Sequence, residues 1–251
     1  MSFAVCPKCG HLPPQPIGDT EACPACGVYM HKWNPTPGSA PAGVSFHIEE
    51  SADEPADEPG HWQTRFLTMP NSDKNQIAAR AVVLLLLALW GLKLAAADIS
   101  TGEIMQSFMH SILLPIHEAG HIFMIPFGEF ITIAGGSAFQ VALPFAIAVA
   151  FLVKNRDPYG AAVCLWWTGI SLMDLAPYVY DALEPQLMLL GGHTGAEGGP
   201  HDWMYLFGVL GGLQNAHGWG RFTHIVGVVV SLLAVAWAAW VLHLAHRQER
   251  Q

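Results

Sequence analysis

Two patterning regimes divide the chain. Up to about residue 75, apolar positions are scattered among prolines, glycines and charges, and none of the runs is long enough for an extended apolar helix. From residue 76 onward they fuse into long blocks. A helix needs about twenty predominantly apolar residues to cross the hydrocarbon core of a bilayer, and the blocks 78–97, 105–126, 138–153, 160–180 and 223–246 are each read as spans. The stretch 202–217 is apolar but short and Gly-rich, so it crosses, re-enters or lies in the interface. The pattern therefore predicts an α-helical polytopic membrane protein of about five to six spans. It divides into a head (1–33), a linker (34–75) and a membrane-embedded domain (76–251).

Composition agrees with this division. Of 251 residues, 52% are hydrophobic and 12% charged, against roughly 25% charged in soluble domains. The 20 acidic residues outnumber the 11 Lys and Arg, for a net charge of -9. No basic face is available to neutralise phosphates, so nucleic acid is excluded as a partner and the lipid bilayer takes its place. With six spans, Lys8, Lys32, Arg65, Lys74, Arg247 and Arg250 share the cytoplasmic side, as cationic loops prefer. Lys154, Arg156 and Arg221 then fall on the opposite side. If 202–217 does not cross, this count moves the carboxyl terminus to the other face.

Four of the five cysteines form two CxxC knuckles, Cys6-Pro-Lys-Cys9-Gly and Cys23-Pro-Ala-Cys26-Gly. Two such knuckles supply a closed tetrahedral shell of four thiolates, the arrangement of a structural zinc ribbon with no open position for chemistry. Disulfides are the alternative. Zinc thiolates persist best in a reducing compartment, and the first apolar run long enough for a signal peptide begins only near Ala78, so the ribbon is expected in the cytoplasm. There it is free to meet a protein partner. The linker is Pro-rich and then acidic, with Glu49, Glu50, Asp53, Glu54, Asp57 and Glu58, a composition expected to act as a flexible tether.

The densest chemistry is His117-Glu118-Ala119-Gly120-His121, inside the block 105–126. Helical residues i and i+4 share a face, so His117 and His121 can offer two imidazoles to one zinc ion, with Glu118 beside them as a general base. Glu118 is the one carboxylate in that block, and an ionisable group within a spanning helix is costly enough to point to function. Pro115 removes a backbone donor and frees the carbonyl of Ser111, which favours a kink. A catalytic zinc takes a third protein ligand and keeps one position open. Asp174, also a carboxylate inside an apolar span, is the leading candidate, with Asp181, His193, His201 and Asp202 as alternatives. The remaining histidines, the tryptophans and Cys164 read as interfacial or packing residues.

These residues resemble the site-2 protease family of intramembrane zinc metalloproteases, in which HExxH on one membrane helix is completed by an aspartate on a later one. His117 and His121 correspond to the histidine ligands, Glu118 to the catalytic glutamate, and Asp174, here in Met-Asp-Leu, to the later aspartate. The resemblance covers about residues 105–182. It implies a catalytic zinc in addition to the structural one, and hydrolysis of a peptide bond in a membrane or membrane-adjacent protein. It also implies a Gly-rich, strand-like segment at 130–136 that pairs with substrate, and polar work for Gln140 near the site. Two other classes fit the same residues: a membrane metal-binding or transport protein, and a non-proteolytic scaffold subunit that recruits partners through its ribbon.

Overall fold

The computed structural model describes residues 2–3, 5–6, 9, 11–18, 20–30, 65–69, 73–198 and 201–250. Lys8, Lys32 and the acidic stretch of the linker lie outside them. The chain forms two compact units, Met1–Glu58 and Pro59–Gln251.

In the first unit a short antiparallel pair, β1 (Ser2–Phe3) and β2 (Ile17–Gly18), sets Ser2 opposite Gly18 and Phe3 opposite Ile17. Ile17, Met30, Cys6 and Cys23 form a small buried cluster. The Cys23 N–H donates to Val28 O at 2.9 Å and the Gly27 N–H to Cys23 O at 2.8 Å, closing the turn behind the second knuckle. Gly27 takes φ +70° there, a left-handed conformation that costs glycine little.

The second unit is helical: α1 (Lys74–Ala95), α2 (Phe108–Met124), α3 (Glu129–Val153), α4 (Pro158–Asp181), α5 (Asp202–Leu210) and α6 (Ala216–Glu249). Asp73, Ser107 and Asp157 cap α1, α2 and α4 by accepting from backbone N–H groups of the first turn. Among the described residues, four helical segments are long and apolar enough to cross a membrane: Lys74–Ala95, Glu129–Val153, Pro158–Asp181 and Leu213–Glu249. Their outward faces are correspondingly oily, with Leu86 60% and Leu233 63% exposed. A water-facing surface would not carry such a continuous apolar band. Pro158–Asp181 is the central helix, mostly buried. Gly169 and Gly227 bring α4 and α6 so close that a Cβ on Gly227 would stand 2.6 Å from Gly169 O. Small residues at such crossings are how helices gain contact where lipid supplies no hydrophobic drive.

Three contacts and one short turn fix the helix directions. Lys74 Nζ pairs with Glu249 Oε1 at 3.5 Å, joining the start of α1 to the end of α6. Tyr159 donates its hydroxyl to Arg80 O at 2.7 Å, which sets the start of α4 at that same end. His224 Nε2 donates to Ala95 O at 3.1 Å, so α6 begins where α1 finishes. The short turn between Val153 and Pro158 makes α3 antiparallel to α4. The four long helices therefore alternate in direction, and Lys74, Lys154, Arg156, Arg247 and Arg250 gather at one end.

This corrects the expected spans. Phe108 of α2 stacks on Trp90, near the end of α1, and Gly120 of α2 packs on Gly135, near the start of α3. Both ends of α2 thus meet residues in the half of the bundle away from Lys74, and its 17 residues leave it outside the four candidate spans. The segment 202–217 falls short as well: α5 has nine residues, about 14 Å of helix against a core of about 30 Å. With four crossings the two ends of the membrane unit share a face although 202–217 stays on one side, and Lys154 and Arg156 join the other basic residues. The segment 130–136, expected to be strand-like, is the first part of α3, whose helical backbone runs through Gly135 and Gly136 unbroken.

Candidate metal centre

α2 and α3 meet at glycines. A Cβ on Gly120 would collide with the carbonyl of Gly135, and one on Gly136 would stand 2.5 Å from His121 Nε2 and 2.6 Å from His117 Nε2. Absent side chains thus make the space in which the two imidazoles sit. One helical turn separates His117 from His121, and their ring centroids lie 4.8 Å apart.

Each ring is held from behind. His117 Nδ1 is 2.9 Å from Gln140 Oε1, and His121 Nδ1 is 2.9 Å from Thr132 O. Gln140 Nε2 donates to Asp174 Oδ2 at 3.1 Å, which orients the amide with its oxygen toward His117. Both Nδ1 atoms therefore face acceptors and carry hydrogen. The Nε2 atoms point forward to one carboxylate oxygen, Asp202 Oδ2, at 2.9 Å from His117 and 3.2 Å from His121. Burial pushes the Asp202 carboxyl up, but hydrogen bonds and positive charge from the two imidazoles outweigh that and draw it down to about 2. In neutral rings, two nitrogen lone pairs and a carboxylate would converge with nothing positive between them. Such a donor set suits a metal ion, and His117, His121 and Asp202 form one of two groups among the described residues able to hold one. The other is Cys6, Cys9, Cys23 and Cys26.

Asp202 reaches this point because of how α5 begins. His201 caps the helix, its Nδ1 accepting from the Met204 N–H at 3.2 Å, while its Nε2 lies 3.3 Å from Asp181 Oδ2. Asp181 also accepts from the Gln186 and Leu187 N–H groups. The Asp202 N–H donates to Tyr178 Oη at 2.9 Å, and Trp203 Nε1 donates to Ser137 Oγ at 3.1 Å. The first turn of α5 is thereby pinned to α4 on one side and α3 on the other.

The third member of the metal-competent group thus departs from the leading expectation. Asp174 is buried close by, but its oxygens are taken by His110 Nδ1, at 3.0 and 3.1 Å, and by Gln140. Asp181 and His201 serve each other and the cap. His193 lies in the turn after α4, where its carbonyl accepts from the Leu189 N–H, outside the group. Sequence reasoning missed Tyr178, and gave Thr132 and Gly136 a different role within the expected strand-like segment 130–136. A backbone carbonyl leaves no side-chain signature, and a packing glycine looks like any other.

The centre opens into a cavity of about 540 Å³ lined by Glu118, His110, Tyr178 and the apolar Met105, Leu114 and Leu189 among others. Glu118 has no hydrogen-bond partner among the described residues, so its carboxylate is available to whatever enters. In the head, Cys6 Sγ and Cys26 Sγ are 3.8 Å apart and Cys9 Sγ and Cys23 Sγ 3.7 Å. All four thiols are free, and the spacing matches the roughly 3.8 Å edge of a tetrahedron with metal–sulfur bonds of about 2.3 Å.

No family model matches the chain, and no curated protein or solved structure matches it significantly.

Proposed function

We propose that this protein is an intramembrane zinc metallopeptidase that hydrolyses a peptide bond of a membrane or membrane-adjacent protein. The observation that carries the reading is the convergence of His117 Nε2, His121 Nε2 and Asp202 Oδ2 beside the unpartnered Glu118 in one cavity. His117, His121 and Asp202 would hold the catalytic zinc, leaving its remaining position to the cavity, and the four cysteines a structural one. When bound, the catalytic zinc supplies a Lewis acid that polarises the scissile carbonyl and acidifies water.

The protein's own groups do the rest. Glu118 accepts a proton from the attacking water as its oxygen bonds to the carbonyl carbon. It returns that proton to the amide nitrogen as the carbon–nitrogen bond breaks, releasing a carboxylic acid and an amine. The apolar walls, including Met105, Leu114 and Leu189, suit an oily segment, and its peptide carbonyl must leave helical hydrogen bonding to be reached. The clustering of Lys74, Lys154, Arg156, Arg247 and Arg250 at one end favours that end as cytoplasmic. The cavity, formed with the C-terminal part of α4, then lies in the opposite half of the membrane.

The test compares protein amino termini in membranes from cells expressing wild type and Glu118→Gln, with the metal content of both proteins measured. Termini that appear only with wild type, at equal metal content, support the reading. Identical termini sink peptidase activity. Altered metal flux across vesicles with no change in termini would select the transport class instead.

A further inference from the structure

Resting on the reading of His117 as a metal ligand, we infer that Asp174, acting through Gln140, is a positioning residue for the metal centre rather than a member of it. Asp174 lies 4% exposed in α4, where an unpaired carboxylate would be costly. Two donors satisfy it: His110 Nδ1 and Gln140 Nε2. Gln140 is itself 3% exposed and spends its other amide atom on His117 Nδ1 at 2.9 Å. The result is a chain of hydrogen bonds from α2 to α4, to α3 and back to α2: His110, Asp174, Gln140, His117.

The polarity of the chain is forced. With Gln140 Nε2 donating to Asp174 Oδ2, the amide oxygen is left facing His117 Nδ1 and can only accept from it. That arrangement obliges His117 to carry its proton on Nδ1 and to turn its Nε2 lone pair toward Asp202, the tautomer a metal requires. A carboxylate behind a ligating imidazole, direct or relayed, also makes the ring a better donor. His110 completes the arrangement by tying down the carboxylate from the far side. His121 has no comparable relay, because its Nδ1 faces only the Thr132 carbonyl. The asymmetry singles out His117 as the ligand whose geometry depends on side chains two contacts away.

The experiment measures zinc affinity of the membrane site in the detergent-solubilised full-length protein by competition with a chromophoric chelator. The ligand-field spectrum of the cobalt-substituted site is recorded alongside. Wild type, Gln140→Leu, Asp174→Asn and His110→Phe are compared, with His117→Ala, His121→Ala and Asp202→Ala as ligand-loss references. The expected result is a loss of about 10- to 100-fold in affinity for Gln140→Leu and Asp174→Asn, with a shifted cobalt spectrum but retained stoichiometry. His110→Phe should lose less. If Gln140→Leu does not fold, Asp174→Asn decides, since it keeps the volume of the side chain. Unchanged affinity and spectrum in the folded relay variants, while the reference variants lose the metal, would overturn this inference alone. Complete loss of stoichiometry in Asp174→Asn with full retention in Asp202→Ala would make Asp174 a ligand and also overturn it. A wild type that binds metal only at the ribbon would overturn the metal centre and this inference together.

Discussion

Asp202 Oδ2 stands 2.9 Å from His117 Nε2 although 85 positions separate the two residues in the chain. The contact exists because a nine-residue helix, too short to cross a membrane, starts against the inner faces of α3 and α4 instead. Its first turn is fixed by four polar contacts, through His201, Asp202 and Trp203, to Asp181, Tyr178, Ser137 and the imidazole pair. The carboxylate at the first position of that short helix is thereby brought to both imidazoles.

Replacing Asp202 by Ala should remove the membrane-site metal as completely as replacing His117 or His121, leaving the ribbon metal in place. Metal analysis of the purified variants checks this. Retention of two metal ions per chain by Asp202→Ala would exclude it as a ligand.

Gly136→Ala should be nearly as damaging, for a steric reason. The added methyl would meet both Nε2 atoms at about the distances given above, so the imidazoles must rotate off their common point. Overpacking of this kind costs about 1–3 kcal/mol where the surroundings cannot yield. The expected signature is lost metal with the helix content unchanged by circular dichroism.

Loss of His201 tests what holds α5 down. His201→Ala removes the cap and one partner of the buried Asp181, together worth about 1–3 kcal/mol. Amide exchange over residues 202–210 should accelerate while α4 stays protected. Equal exchange in the two proteins would show that the remaining contacts of Trp203 and Tyr178 suffice.

The alternating helix directions predict sidedness. Asn155→Cys, in the turn before α4, and Thr101→Cys, in the connection after α1, should react with a membrane-impermeant maleimide from opposite faces of sealed vesicles, and Gln248→Cys from the same face as Asn155→Cys. Labelling of Asn155→Cys and Thr101→Cys from one face would refute four crossings.

In the head, a strong chelator should expose four thiols to a chromogenic disulfide, matching the four converging cysteines. Cys23→Ser should abolish the ribbon metal and leave the histidine site loaded. An oxidised pairing of these cysteines would instead show no thiol release on chelation.

Local spacing was enough to place some of this protein in advance. Period and length alone marked 78–97, 160–180 and 223–246 as long apolar helices, because a helix saturates its own backbone and the bilayer demands about twenty residues of it. The i, i+4 spacing set His117 and His121 on one face, and two CxxC knuckles brought four thiols together, since both depend only on neighbours in the chain. The rest was decided by the tertiary structure. The block 105–126 reads as a span, but the helix within it has 17 residues and meets its neighbours in one half of the bundle. The glycines at 135 and 136, expected in a strand-like segment, are helical, and α2 packs against the space they leave. In sequence Asp174, inside an apolar span, is the stronger candidate and Asp202 one of several alternatives. Which one meets the imidazoles depends on helix direction, on the cap at His201 and on Gln140 occupying Asp174, all contacts between residues far apart in the chain.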